Sequence, residues 1–200
     1  RTRDKDRSLL EFLRKHDKQC GVIYCATRSK VESVTQQLQR HGFKALRYHA
    51  GLTPEERRNN QNAFVGGLVP LIVATNAFGM GIDKADVRFV VHYNMPKDVE
   101  SYYQEAGRAG RDGLESECLL LYDKADIAVN TYLIGHDQPD LAWKAHEMEL
   151  LQKMTFYCNT SGCLRRVLLE YFGEKAPAKC NHCGNCDANK NASWRRFLDL

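Results

Sequence analysis

The chain alternates between two kinds of apolar pattern. Between Asp6 and His16, Leu9, Leu10 and Leu13 recur at helical spacing among charged residues, which predicts an amphipathic helix. Gly21–Cys25 (GVIYC) then runs apolar without alternation, as a strand buried on both faces does. Ser29-x-x-Glu32 reads as a capping box opening a second helix, whose Val31, Val34 and Leu38 share one stripe and which Gly42 closes. Lys44–Tyr48 predicts another strand. Thr53-Pro54-Glu55-Glu56 starts the next helix, with proline at its first position, and Gly66-Gly67 ends it. Leu71–Thr75, Val87–Tyr93 and Cys118–Tyr122 complete the strands. Apolar strands separated by capped amphipathic helices specify an α/β fold, a parallel sheet covered on both faces in a three-layer sandwich. Ligands of such sheets gather at the carboxyl ends of the strands, so the loops after Cys25, Tyr48, Thr75 and Tyr93 are expected to carry the site.

After Tyr122 the pattern changes. Ala125–Ile134, Leu141–Tyr157 and Leu164–Phe172 predict helices, followed by a knot rich in Cys and Asn, and no further strand is expected. A boundary near Asp123 divides the chain into a lobe over 1–123 and a small helical module over 124–200. Two hundred residues suit one domain with such an appendage. An apolar content of 43% with 27% charged residues describes a globular chain rather than a disordered one. No apolar run approaches the roughly 18 residues of a membrane span. The charged N-terminus lacks the apolar core of a signal peptide, and the chain begins abruptly, as an excised segment does. The net charge of +4 permits nucleic-acid binding without demanding it.

Candidate chemistry concentrates in three stretches. Tyr102–Gly113 (YYQEAGRAGRDG) reads as a turn in which Gly107, Gly110 and Gly113 leave little bulk around Arg108 and Arg111. Two guanidinium forks presented over bare backbone suit a nucleotide γ-phosphate; a local ion-pair cluster with Glu105 and Asp112 is the alternative. Thr75–Lys84 (TNAFGMGIDK) follows a buried strand. There Gly79 and Gly81 let backbone N–H groups face a ligand, and Asp83 can accept from a ribose hydroxyl or hold an arginine. No phosphate loop of the form G-x-x-x-x-G-K-[ST] occurs, and no acidic cluster follows a strand to hold Mg²⁺. Alone, the chain is not expected to hydrolyse a nucleotide; another domain must bring one.

The third stretch holds metal ligands. Of eight cysteines, Cys20, Cys25 and Cys118 fall in or beside apolar runs, whereas five crowd into Cys158–Cys186. Clustered cysteines without an export signal suit a reducing compartment and a metal. Cys180-x-x-Cys183-x-x-Cys186 supplies three thiols at tight-turn spacing, and Cys158 or Cys163 can complete a tetrahedral, structural zinc site. His182 is too close to Cys183 to ligate alongside it. Arg165, Arg166, Lys175, Lys179, Lys190, Arg195 and Arg196 form a basic flank that suits duplex phosphates or a solvated face. Tyr171, Phe172, Trp194 and Phe197 read as packing residues rather than base-stacking platforms.

Taken together, LIVATNAFGMGIDK and VRFVVHYNMPKDVESYYQEAGRAGRDG resemble motifs V and VI of the RecQ family of superfamily 2 DNA helicases. VIYCATRSKVESV resembles motif IV, and YHAGL (Tyr48–Leu52) the short motif that follows it. The resemblance implies that 1–123 is the second RecA-like lobe of a two-lobed 3′→5′ motor of DNA recombination and repair. ATP and Mg²⁺ would be held mainly by a first lobe on the N-terminal side, which this sequence lacks. By position, Arg111 is similar to the arginine finger and Arg108 to its γ-phosphate-sensing partner. Gln104 and Asp83 would couple the cleft to the DNA path, and Thr27, Arg28, His49 and Thr75 would meet phosphates of the translocating strand. RNA helicases of the DEAD-box type carry a His-Arg pair where this chain has Tyr103-Gln104-Glu105, which favours DNA over RNA. The family's zinc module places one Cys just before Arg-Arg, which makes the ligand set Cys163, Cys180, Cys183 and Cys186. The resemblance further implies an intracellular protein, in the bacterial cytoplasm at the nucleoid or in a nucleus, and a fragment that is monomeric. The alternative from another class is a non-catalytic, zinc-stapled DNA-binding or protein-docking module.

Overall fold

The computed structural model describes residues 4–76, 78, 84–137 and 140–186, with the backbone alone for 195–198. In chain order the elements are α1 (Lys5–Lys15), β1 (Gly21–Tyr24), α2 (Arg28–Arg40), β2 (Ala45–Tyr48), α3 (Pro54–Val65), β3 (Leu71–Ala74) and β4 (Phe89–His92). There follow α4 (Val99–Ala106), β5 (Glu117–Leu120), α5 (Ala125–Asp137), α6 (Leu141–Asn159), α7 (Leu164–Tyr171) and β6 (Arg195–Leu198). The first five strands are parallel in the order β2-β3-β1-β4-β5, with Ile23 of β1 level with Val73 and Val91 on either side. β1, β3, β4 and β5 are buried along their whole length, whereas β2 at the edge is mostly half-buried. The apolar runs therefore mark strands enclosed on both faces.

One face of the sheet packs Ile23, Val73, Val91 and Leu119 against Leu9, Phe12 and Leu13 of α1 and Val31, Val34 and Leu38 of α2. The other packs Val22, Ile72, Val90, Cys118 and Leu120 against Phe64, Tyr102 and Ala106. That second cluster continues without a break through Leu151, Met154 and Tyr157 of α6 to Leu164 and Leu168 of α7. Tyr102 and Tyr157, both fully buried, meet at 5.2 Å between ring centroids. Burial of a side chain of this size contributes roughly 1.5–3 kcal/mol. At the start of β1, a Cβ on Gly21 would lie 1.9 Å from the Phe89 ring, so only glycine lets Phe89 cross the strand.

Three local expectations need correction. The N-cap of α2 is Thr27, whose hydroxyl accepts from the Lys30 amide at 3.2 Å, not Ser29 of the capping box, which lies inside the helix. Tyr102–Ala106 forms the end of α4 and is not part of a turn. A strand does follow Tyr122: β6 adds antiparallel to the outer edge of β5, with Phe197 level with Cys118. A charged edge strand of this kind carries no apolar run to announce it. Among the described residues no helix is long and apolar enough to cross a membrane.

Candidate functional site

The arginine loop is built on a strap of backbone. Asp98 caps α4 by accepting from the Ser101 amide, and Gly107 ends the helix. Gly110 then takes φ +69, and a Cβ there would sit 2.6 Å from Ser116 Oγ, so this position excludes side chains twice over. Its N–H donates to the Val87 carbonyl at 2.9 Å. Arg88, at the entry to β4, donates to both Asp112 oxygens at 2.5 and 2.6 Å and to the Glu115 carbonyl at 3.2 Å. The loop is thereby fastened beside the amino end of β4. That corrects the expectation that the loops at the carboxyl ends carry the whole site, because the crossover helix α4 returns the chain from the carboxyl end of β4 to the amino end of the parallel neighbour β5.

The two carboxylates expected to neutralise the arginines have other partners. Asp112 is held by Arg88, whose hydrogen bond and charge keep it below the usual carboxylate range. Glu105 turns inward on the buried side of α4, where its Oε2 accepts from His92 Nε2 at 2.9 Å. Arg111 is exposed, with Nε donating to the Gly107 carbonyl at 3.4 Å. Arg108 is half-buried, its charge close enough to act on the Tyr24 phenol. Burial pushes the Tyr24 phenol well up, and the charge of Arg108 opposes that shift. Gln104 lies exposed on α4.

A second group of residues lines the rim formed by the carboxyl ends of β1, β2 and β3. Thr27 and the exposed Arg28 open α2 there, and a Cβ on Gly51 would sit 3.4 Å from Arg28 Cδ and 3.1 Å from His49 Nδ1. Thr75 is half-buried; its N–H donates to the Tyr48 carbonyl at 3.2 Å, and its own carbonyl accepts from the Phe78 amide at 3.0 Å. His49 lies beneath this rim, only 5% exposed. Its Nδ1 accepts from the Gly51 amide at 3.2 Å, so Nε2 carries the proton and donates to Glu32 at 2.9 Å. Burial raises the Glu32 carboxyl, but Arg47 and His49 outweigh it and hold it low. The imidazole thus shapes the loop rather than reaching outward. Gly81 and Asp83 lie outside the described residues.

The four thiols of Cys163, Cys180, Cys183 and Cys186 lie within 4.8 Å of one another. Cys163 and Cys183 are 3.9 Å apart at sulfur, against the edge of about 3.8 Å expected for a tetrahedron with Zn–S bonds of 2.3 Å. Cys163 is the N-cap of α7, its sulfur accepting from the Arg166 amide at 3.4 Å. The Leu164 and His182 amides point at Cys183 and Cys180, at 3.3 and 3.4 Å. Burial works to raise Cys183, yet the Leu164 and Cys186 amides bring its thiol down to about 7. Burial pushes Cys180 up to about 12 and raises Cys186, as it also pushes Cys20 up to about 11 and Cys118 up to about 12, so it is proximity and not thiol acidity that marks the cluster. Cys158 is buried in α6, apart from the cluster. The donor set fits zinc, and with four protein ligands it leaves no open coordination position.

Sequence reasoning missed two buried ties. Lys5 Nζ bonds both Asp126 oxygens at 2.8 and 2.6 Å, while Asn94 donates to Asp126 at 2.9 Å and accepts from the Ala26 amide at 3.2 Å. This network pins α1, the end of β1, the end of β4 and α5 together. The other is the His92–Glu105 pair; the helical spacing of Glu105 with Val99, Tyr102 and Ala106 already places it on the buried face of α4.

Comparison with known proteins agrees with this architecture. Residues 4–113 match the model of the helicase conserved C-terminal domain, and residues 124–187 match RecQ zinc-binding. The chain is 45% identical over 189 residues to an ATP-dependent DNA helicase RecQ of Bacillus subtilis, covering 94% of this chain and 32% of that protein. It is 45% identical over 166 residues to a protein of the same name from Pasteurella multocida, covering 83% of this chain and 26% of that one. It is 42% identical over 177 residues to the ATP-dependent helicase SGS1 of Saccharomyces cerevisiae, covering 88% of this chain and 12% of that protein. The chain thus spans about a third or less of the length of these relatives. A RecA-like parallel sheet with a strapped arginine loop, joined through one apolar core to a four-cysteine centre, places this chain in the RecQ helicase family, as its conserved C-terminal domain and zinc-binding module.

Proposed function

We propose that this chain is the second motor lobe, over 1–123, and the zinc module, over 124–200, of an ATP-dependent DNA helicase. ATP and Mg²⁺ bind mainly to a first lobe on the N-terminal side, and closure of the two lobes brings Arg111 to the γ-phosphate with Arg108 beside it. Charge moves onto the phosphate oxygens during transfer, and an arginine that meets it there lowers the barrier. Gln104, Gly81 and Asp83 border that cleft. Thr27, Arg28 and Thr75 meet phosphates of the translocating DNA strand, with His49 holding the Gly51 loop in place beneath them. Cys163, Cys180, Cys183 and Cys186 hold one structural Zn²⁺. The 3′→5′ polarity and the role in recombination and repair rest on resemblance to the family.

The observation that carries this reading is the arginine loop itself. It is fixed from behind by Gly110 and by the Arg88–Asp112 pair, and it leaves Arg111 exposed in a chain with no phosphate loop. The test is Arg111→Ala in the intact protein. ATP turnover is expected to fall by about 10³–10⁵ while affinity for single-stranded DNA stays within about twofold. Equal loss of turnover and DNA affinity would show that the side chain maintains the fold. Unwinding assays on matched DNA and RNA duplexes separate the DNA reading from RNA remodelling.

A further inference from the structure

Helix α7 begins at the thiol cluster and ends against the motor lobe. Cys163 is its N-cap, Tyr171 is its last residue, and Gly173 at φ +83 turns the chain away. The Tyr171 hydroxyl donates to Glu100 Oε1 on α4. Burial and the facing carboxylate push the phenol up, so its proton is always there to donate. Among the described residues, Glu100 Oε2 is buried without a hydrogen-bond partner. A carboxylate placed this way leans on the hydroxyl that reaches its other oxygen. Next along, the Phe172 ring meets Tyr103 with centroids 4.9 Å apart, and the rings of Tyr171 and Phe172 stand edge to face at 5.2 Å.

Glu100 and Tyr103 share a stripe of α4 that continues to Gly107 at its end. The Gly107 amide donates to the Tyr103 carbonyl at 2.9 Å, and the Gly107 carbonyl accepts from Arg111 Nε at 3.4 Å. Arg111 is thereby joined through Gly107 to the residue whose ring Phe172 touches. A different side of α4 packs on the sheet through Tyr102 and Ala106. Lys97, just ahead of the helix, is tied to Glu147 of α6 at 2.8 Å. The module therefore braces α4 at its start and along the stripe that leads to the arginine loop.

We propose that Tyr171, with Phe172 beside it, is a positioning residue for Arg111, so that the helix opened by Cys163 sets where the arginine loop leaves α4. This rests on the reading above, in which Arg111 meets the γ-phosphate and the four thiols hold zinc. No sequence motif announces it: both aromatics read as packing residues, and Glu100 lies 71 residues away from Tyr171.

The experiment uses the intact helicase carrying Tyr171→Phe, which keeps the ring and removes only the hydroxyl. Steady-state ATP hydrolysis is measured at saturating single-stranded DNA, with KM for ATP, Kd for DNA and zinc content determined alongside. The kcat is expected to fall about tenfold, the scale of one lost hydrogen bond to a charged group, with KM and Kd within about twofold and zinc retained. Glu100→Gln, which keeps an acceptor oxygen for the hydroxyl, is expected to preserve most of the turnover, whereas Glu100→Leu falls as far as Tyr171→Phe. Combining Glu100→Leu with Tyr171→Phe is expected to cause no further loss, since both remove one contact. Phe172→Ala probes the neighbouring contact at a ring that is 43% exposed, where truncation leaves no buried cavity. There kcat is expected to fall about threefold, the scale of one aromatic pair. Wild-type kcat in Tyr171→Phe or in Phe172→Ala overturns the proposal. So does a parallel fall in kcat, DNA affinity and zinc content, which marks a merely structural role. If Arg111→Ala alone keeps full turnover, it is the parent reading that fails.

Discussion

The thiol cluster and the arginine loop are both held by backbone hydrogen bonds, but one is closed and the other is half of something. Around the sulfurs, amides of Leu164, Arg166 and His182 already point inward, and all four ligands come from this chain. Such a centre needs only an ion to finish it. Around the arginines, two of the struts come from behind, Gly110 to Val87 and Arg88 to Asp112, with Arg111 exposed. On the proposed reading, its completion comes from a ligand carried by another lobe. On that reading, metal governs the stability of the module, whereas the arginine loop is braced by this chain's own hydrogen bonds and acts when a partner surface arrives.

Metal removal tests this contrast at its largest expected effect. Structural zinc contributes on the order of 10 kcal/mol in comparable small sites, so chelation or Cys183→Ser is expected to unfold the α7 region while the parallel sheet survives. Circular dichroism and protease mapping, read against zinc content by atomic absorption, check it; an α7 equally stable without metal breaks the comparison. A smaller effect is expected for Gly110→Ala. The left-handed backbone and the contact with Ser116 together should cost roughly 2–3 kcal/mol in urea denaturation, without loss of zinc. A neutral result would mean the loop is looser than its strap suggests. The smallest effect belongs to Asp112. Its folded carboxyl lies below the ordinary range, so the stability it adds is present near neutral pH and fades as pH falls through the folded value. Melting curves of wild type and Asp112→Asn should therefore differ slightly at pH 7 and converge in acid.

The parts of the fold that were legible are those written in local periodicity. Buried strands such as Leu71–Ala74 and the Thr53-Pro54 helix start appear where the pattern puts them. The Cys180–Cys186 spacing brings its thiols together, with Cys163 as the fourth. What escaped depends on distant partners. Thr27 and Ser29 are equivalent hydroxyls by sequence; Thr27 caps because α2 starts almost as soon as β1 ends, which frees Glu32 for Arg47 and His49. The site of the arginine loop depended on which end of the sheet a crossover reaches, and its glycines say nothing of that. β6 depends on an unpaired edge of β5, far earlier in the chain. Lys5 looks like a solvated charge on an amphipathic helix until Asp126 arrives to bury it.

A single apolar cluster runs from Val90 in the sheet through Tyr102 and Tyr157 to Leu168 beside the sulfurs. Polar ties run beside that cluster: Lys97 Nζ meets Glu147 at 2.8 Å, and Asn159 Nδ2 donates to the Tyr122 hydroxyl at 3.1 Å. On the proposed reading, a rotation of the sheet at lobe closure would therefore be handed on through this shared core to the arm that carries the four thiols.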